Sequence, residues 1–373
     1  MKKEMKMESS NSFAQQMIAG HEHLAYGTYL QLGDCRISVQ SNSEPLNGLL
    51  LHYFKPVLMQ SGDQSVPVVP MDIEIIAIER PPLDLDVEFV DWKREPGKSG
   101  RKDSFFDLND GRLIRKVRTG MVFLISDQKQ IAAGPCVAND NQVINFINAQ
   151  YMSWLQQRDW LICHASGLVY NEAALAIAGF SGGGKSTLML HTLENPAIQF
   201  LTNDRLFVRE SNGQVEAAGI PKLPRINPGT IVNNPRLKPM LNAEHIDRLL
   251  ALPKQTLWHL EEKYDVFIDQ VYGPNRIVQQ APLRALLILS WDPNCPQPMT
   301  VSQVDLRQRR DLLPAVMKSP GPFYRDANGH YYQENILPEA RYLRAFENIV
   351  VYEATGGVDF AALSELCQHE ILG

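Results

Sequence analysis

The stretch AALAIAGFSGGGKST, residues 173–187, constrains what this chain can fold into more than any other. Ala173 to Ala178 is a short apolar run of small residues, the pattern of a strand covered on both faces. Gly179, Gly184, Lys185 and Ser186 then satisfy the spacing G-x-x-x-x-G-K-[ST]. Leu188, Met189, Leu190 and Leu193 follow as one buried helical face, so strand, loop and helix stand in the order that phosphate binding needs. A glycine-rich turn with a chance lysine would not require that order.

Each position in the loop has a physical task. The glycines let successive backbone N–H groups turn inward toward an anion, and the helix beginning near Lys185 adds the positive end of its dipole. Lys185 places a point charge on β and γ phosphates, and the Ser186 hydroxyl is a ligand for the Mg²⁺ that bridges them. The expected nucleotide-binding set is Gly179, Ser181, Gly182, Gly183, Gly184, Lys185, Ser186 and Thr187, with ATP and Mg²⁺ as cofactors. A nest of backbone amides reads phosphates, not bases, so ATP, GTP and pyrophosphate all satisfy it.

A chain of 373 residues exceeds what one hydrophobic core usually serves, which points to two domains. With 44% apolar residues and 21% charged ones it has an ordinary globular composition. The net charge of −6 argues against a nucleic-acid partner, which calls for a basic surplus. Five scattered cysteines, none in a C-x-x-C pair, read as reduced thiols. The basic start MKKEMKM runs into polar SSNSFAQQ where a signal peptide needs an apolar core, and no run approaches a membrane span. A cytoplasmic protein without a membrane partner is expected, and its oligomeric state, self-association included, stays open.

Along the chain, residues 1–20 look like a flexible lead-in. Residues 21–150 alternate and turn like a β-rich domain, carry a charged tip from Glu95 to Ser104, and end in a helix over Asn141–Trp154 that bridges to the catalytic domain, 151–373. Two strands flank the loop segment. Trp160 to His164 ends in a histidine, which stands equally for a satisfied structural residue or one beside the nucleotide. Ile198 to Thr202 ends in Asn203-Asp204, where a carboxylate can meet Mg²⁺ or take a proton from an attacking group. Its rival is Asp292, at the end of the very apolar strand Ala285–Trp291. The Pro- and Gly-rich run from Gly219 to Gly229 carries Lys222 and Arg225, and Arg276 lies further on. These cations could neutralise a transferring phosphoryl group.

From His164 to Arg205 the chain resembles the bacterial HPr kinase/phosphorylase family, and more closely its HPr-kinase-related members of unknown target. The interval from His164 to Gly179 matches the one that separates that family's catalytic histidine from its loop, and Asn203-Asp204-Arg205 stands where the family has a strand-end acidic pair. Both intervals favour Asp204 over Asp292. The resemblance implies an α/β fold of the HPr kinase and phosphoenolpyruvate carboxykinase type, a P-loop kinase domain on a mixed sheet, here behind a β-rich N-terminal domain. It implies Asp204 as general base, His164 orienting the centre, Ser186 and Asp204 on the metal, and Glu216 as a further metal carboxylate. Asn203 replaces the family's first acid, which removes a charge beside the metal and weighs against a reverse, phosphorylase activity. The expected function is ATP-dependent transfer of a γ-phosphoryl group to a hydroxyl on a protein Ser or Thr or on a small metabolite. Asp204, His164, Lys185 and Arg225 would be its catalytic residues. The alternative is a P-loop ATPase or nucleotide-binding regulatory module with no phosphoryl acceptor.

Overall fold

The computed structural model describes residues 9–59, 69–93, 100–180, 182–260, 262–332 and 338–373. The chain forms two units, one from the residues up to Arg158 with the segment that begins at Pro320, the other from Asp159–Ser319 and the chain after that segment. The expected division at 150/151 would cut through a helix, and residues from Pro320 do not belong with the second unit as expected.

The first unit carries an eight-stranded mixed sheet in the order β1-β2-β3-β8-β7-β6-β5-β4. Its strands are β1 (Tyr26–Leu32), β2 (Cys35–Ser41), β3 (Ile73–Glu79), β4 (Val90–Asp91), β5 (Asp103–Asp107), β6 (Gly111–Lys116), β7 (Val122–Ser126) and β8 (Gln130–Gly134). Residues 94–99, and with them part of the charged tip, lie outside the described residues. Helix α1 (Ser10–Ile18) corrects the expected flexible lead-in, because Phe13, Ala14 and Met17 are buried against Leu113, Val122 and Ile131. Phe13, Ala14, Met17 and the partly buried Ile18, set in a polar stretch, are the apolar residues that mark it. Helix α2 (Glu44–Tyr53), capped by the Ser43 side chain, connects the parallel pair β2 and β3, and α3 (Asp140–Gln156) closes the first stretch.

Fully buried Arg112 holds the late segment onto this sheet. Its guanidinium forks onto Asp107 at 2.5 and 3.0 Å, donates to the Pro322 and Tyr332 carbonyls at 3.1 Å, and lies over the rings of Phe105 and Tyr331. Burying a guanidinium is tolerable when its donors are matched in this way.

The second unit is built on a mixed sheet in the order β12-β10-β11-β17-β14-β13-β9, with β19 on β17 and β18 on β19. The strands are β9 (Leu161–Cys163), β10 (Ala165–Tyr170), β11 (Ala173–Gly179), β12 (Gln199–Thr202), β13 (Leu206–Ser211) and β14 (Gln214–Gly219). A separate pair, β15 (Arg225–Ile226) and β16 (Tyr264–Asp265), is followed by β17 (Gln280–Leu289), β18 (Thr300–Gln303) and β19 (Val350–Thr355). In β11 Ala174, Ala176 and Ala178 face one core, while Leu175 and Ile177 face the other with Leu188, Met189 and Leu190 of α4 (Lys185–Thr192). Small residues on one face and large ones on the other produce the apolar run in the sequence.

Arg276 is buried and donates to four backbone carbonyls, those of Ile198, Tyr272, Leu193 and Asn195, at 2.7–2.9 Å. Two of them follow the C-terminal end of α4, where a cation offsets the helix dipole. Its expected role at a phosphoryl group is therefore corrected, since the guanidinium is committed to holding α4 in place. Arg276→Met, which strands these carbonyls, is expected to destabilise the protein by about 2–4 kcal/mol, measured by chemical denaturation, with Arg276→Lys recovering less than half of the loss.

Candidate functional site

Two strand pairs that flank the loop are one interrupted ladder. β10 pairs antiparallel with β12, Gly167 opposite Thr202, and β9 pairs antiparallel with β13, Cys163 opposite Leu206. The register is the same on both sides, and residues 164–166 on one strand and 203–205 on the other are left between. Unpaired with each other across this gap, although Ala165 and Ser166 still pair with β11 on their other side, the two segments direct polar side chains at one another and at Ser186.

Asn203, 6% exposed, accepts at its side-chain oxygen from the Ser166 hydroxyl at 3.1 Å and from the Ser186 hydroxyl at 2.8 Å. Ser186, second residue of α4, is thus tied to the residue next to Asp204. Because its hydroxyl donates in that bond, the oxygen's lone pairs remain available to a cation. Asp204 stands at φ 70°, a left-handed conformation that Asp and Asn tolerate better than other side chains. One carboxylate oxygen lies 3.1 Å from His164 Nε2, and the other pairs with the Arg205 guanidinium.

The charges of this group are strongly coupled. Burial alone would push the Asp204 carboxyl up, but Arg205, His164 and Lys318 outweigh it and hold Asp204 far below the usual carboxylate range. Burial lowers His164, and Lys185 and Lys318 lower it further, against the pull of Asp204. His164 is therefore neutral at pH 7 and donates from Nε2 to Asp204. Burial brings the Lys185 ammonium down to about 8, with Asp204 opposing and Lys318 assisting.

The loop itself is held open. Gly182 and Gly184 have φ of 79° and 84°, and nothing lies within 4 Å of where a Cβ on Gly182 would stand. A Cβ on Gly184 would meet the Phe360 ring at 2.8 Å, so both its conformation and its neighbour require glycine there. Trp291 donates its indole N–H to the Gly183 carbonyl at 2.8 Å and packs edge-on against Phe360. The Lys185 ammonium donates to the Gly179 and Phe180 carbonyls at 2.8 and 3.3 Å. The first turn of α4 leaves the N–H groups of Lys185, Ser186 and Thr187 without a carbonyl one turn back, which is the arrangement that takes an anion. The Thr187 hydroxyl meets that of Thr230, in α5 (Pro228–Val232), at 2.9 Å. Ser181 lies outside the described residues.

The site thus brings together His164, Asn203, Asp204, Lys185, Ser186 and the described loop glycines. Glu216 stands apart from it. Glu216 sits opposite Pro282 in the β14–β17 ladder, whereas Ala174 at the start of β11 sits opposite Leu283 and Gly179 opposite Leu289. That register puts Glu216 at the far end of the sheet, on the order of 20 Å from the loop, where it pairs with Arg209 at 3.1 Å. Glu216 as a metal ligand is therefore corrected. Among the described residues, no cluster of three or more His, Cys, Asp or Glu could hold a metal. Arg225 forms an ion pair with Asp265 at 3.0 Å across β15 and β16. The Asp292 carboxylate accepts from the Asn294 backbone at 2.8 Å in an exposed turn, so the rival acid is a turn former.

Trp291, Phe360 and Lys318 carry no motif, and pattern reading passes over them. Trp291 alone leaves a trace, since it stands two residues beyond the apolar strand that runs parallel beside β11.

No protein-family model matches the chain, and no curated protein matches it. Among solved structures, it is similar to the Hpr(Ser) kinase/phosphatase from Coxiella burnetii at 15% identity, over 56% of this chain and 93% of that one, with a TM-score of 0.26. At that score the likeness carries nothing about the chemistry of this chain, which rests on its own residues.

Burying the Lys185 ammonium has a measurable cost. Its folded value of about 8 lies below the ordinary 10.5, so at pH 7 the unfolded chain holds the charge more easily, and stability recovers as pH rises between those values. Lys185→Met is expected to be about 1 kcal/mol more stable at pH 7, after allowance for solvent and the lost hydrogen bonds, with the gain fading toward pH 10 in denaturation experiments.

Proposed function

We propose that the second unit is a phosphotransferase that moves the γ-phosphoryl group of a magnesium-bound nucleoside triphosphate to a hydroxyl acceptor. One observation carries this reading: the Ser186 hydroxyl and the Asp204 carboxylate, joined through Asn203, stand together beside an open glycine loop with a lysine. The residues fit the group they would hold. Glycines in left-handed conformations and the first turn of α4 suit a polyphosphate tail, and two protein oxygens are enough for Mg²⁺, which keeps waters and takes its other ligands from phosphates. When bound, the magnesium nucleotide supplies the phosphoryl group and most of the charge compensation.

The chain's own residues then divide the remaining work. Lys185 turns from the loop carbonyls to the phosphates, and Ser186 and Asp204 hold the cation. Asp204 accepts the proton of the incoming hydroxyl. Its lowered pKa keeps it ionised across the physiological range, and a weak base suffices because the hydroxyl becomes acidic only as its oxygen bonds to phosphorus. His164 fixes the carboxylate by donating from Nε2. The acceptor is a protein Ser or Thr or a small alcohol. Asn203, neutral where the resembled family has an acid, leaves a single carboxylate at the centre and favours the forward reaction. A hydrolase built on Asp292 finds no support, since that carboxylate is engaged in its own turn.

Full-length protein incubated with γ-labelled ATP, Mg²⁺ and a cell lysate is expected to place label in a protein or small-molecule fraction. Asp204→Asn, which tolerates the left-handed backbone, should lower transfer by about 10²–10⁴-fold while nucleotide binding persists. Lys185→Ala should abolish binding itself. Transfer at the original rate in Asp204→Asn would remove Asp204 as the base. Release of labelled phosphate with no labelled acceptor would leave a hydrolase instead.

The acid–base state of the site gives a second measurement. Binding of ADP by the free protein should weaken as pH rises through about 8, where Lys185 loses its proton. Lys185→Arg should move that loss beyond pH 10. A pH-independent affinity in the original protein would exclude the lysine as the phosphate ligand.

A further inference from the structure

Ser166 stands where the core would take an apolar side chain. Along β10 it shares a face with Leu168, and across the ladder it lies opposite Ile177 of β11; Leu168 and Ile177 both pack into the core under α4. Ser166 is 0% exposed. A hydroxyl in such a place costs stability unless its proton is accepted. The acceptor is the Asn203 side-chain oxygen, 3.1 Å away across the gap between the strands. That oxygen takes a second proton from Ser186 at 2.8 Å, so both of its lone pairs are filled. Two serines thus meet on one buried atom, and one of them is the second residue of α4.

The Asn203 amide has an acceptor end and a donor end, and they differ in what they leave to Ser186. With the oxygen inward, Ser186 donates and its own oxygen keeps its lone pairs for a cation. With the amide turned round, the NH₂ group would donate to Ser186 and occupy a lone pair that the cation needs. The turned amide would also strip the Ser166 proton of this acceptor, at a position closed to solvent. Ser166 therefore penalises the turned amide, and its influence reaches Ser186 through Asn203. A carboxylate at position 203 would need no such guard, because both of its ends accept.

We propose that Ser166 is a positioning residue for the magnesium site: its hydroxyl holds the Asn203 amide with the oxygen toward Ser186, which leaves the Ser186 oxygen open to the cation. This rests on the phosphotransferase reading given above, in which Ser186 and Asp204 hold Mg²⁺ beside the nucleotide. Asp204 is oriented separately, by His164 and Arg205. Ser166 thus governs how tightly the metal joins the nucleotide, and not how the acceptor is deprotonated.

The test is calorimetric binding of ADP to the full-length protein, in EDTA and over a range of Mg²⁺ concentrations. In the original protein Mg²⁺ should tighten ADP binding by about 10-fold or more, the coupling expected when one ligand helps to hold the other. Ser166→Ala should bind ADP in EDTA within about twofold of the original and need about 10-fold more Mg²⁺ for the same gain. Ser166→Cys, which keeps the volume but donates weakly, should fall between them, and it carries the test if Ser166→Ala does not fold. In label transfer, Ser166→Ala should raise the Mg²⁺ concentration for half-maximal rate about 10-fold, with turnover at saturating Mg²⁺ within about threefold of the original. The second arm is a double-mutant cycle with Asn203→Asp. In that background Ser166→Ala should change the Mg²⁺ requirement by less than about twofold, because a carboxylate accepts from Ser186 whichever way it turns. An unchanged Mg²⁺ requirement in Ser166→Ala, or in Ser166→Cys if that variant carries the test, overturns the role of Ser166 and leaves the phosphotransferase standing. An equal loss in both backgrounds does the same. No tightening by Mg²⁺ in the original protein also overturns that role, and if label transfer is absent as well, the phosphotransferase falls with it.

Discussion

Three residues on each of two strands that fall out of register-perfect pairing create the place where chemistry can occur. Backbone groups released from a ladder must find other partners, and here they do. The His164 N–H goes to the Val316 carbonyl, the Arg205 carbonyl takes the Thr202 hydroxyl at 2.7 Å, and the Asp204 carbonyl takes the Arg205 guanidinium at 2.9 Å. The cost of the interruption is thus met partly by side chains of the gap and its border and partly by the Val316 carbonyl. In exchange, Asp204 can adopt a left-handed conformation that a paired strand forbids, and its carboxylate meets His164 from the opposite strand. With a continuous ladder, the side chains at 203–205 would alternate between the two faces of the sheet.

The electrostatics of the gap follow from that geometry. One carboxylate is surrounded by Arg205, Lys318 and Lys185, so it stays charged, while the histidine beside it stays neutral. Burial is the main cause of the lowered Lys185, and a phosphate arriving beside the ammonium would offset it.

Legibility in the sequence tracked locality. The strand, loop and helix from Ala173 to Thr192 are contiguous, and their periodicity and glycines announce them. His164 and Asp204 could be placed because each ends a short apolar strand close to the loop, although the ladder linking them could not be read from either alone. Glu216 failed because a strand's residue types do not reveal its direction in a mixed sheet; the β14–β17 pairing sends it to the wrong end. Arg276 failed because a cation near a nucleotide loop and a cation at a helix C-terminus look the same in one dimension. Helix α1 failed because burial of Phe13, Ala14 and Met17 depends on a sheet whose strands come later in the chain. The backbone of Lys318 comes alongside β9 through the Met317 bridge and the Tyr342 hydroxyl, contacts that no local pattern encodes.

Helix α4 shows why the loop can act without rearranging its foundations. Its first turn faces the glycines, and beyond its last turn the Leu193 and Asn195 carbonyls hold the Arg276 guanidinium. Trp291 grips the Gly183 carbonyl, and Phe360 fills the space under Gly184 where any side chain would clash. With the helix fixed at both ends and the loop backed by two rings, the amide groups that would meet a phosphate are in place beforehand. The Lys185 ammonium is the part with a choice, bound to the Gly179 and Phe180 carbonyls or to an anion. Binding then exchanges two neutral acceptors for a charged one, a gain concentrated in a single side chain while the scaffold stays still.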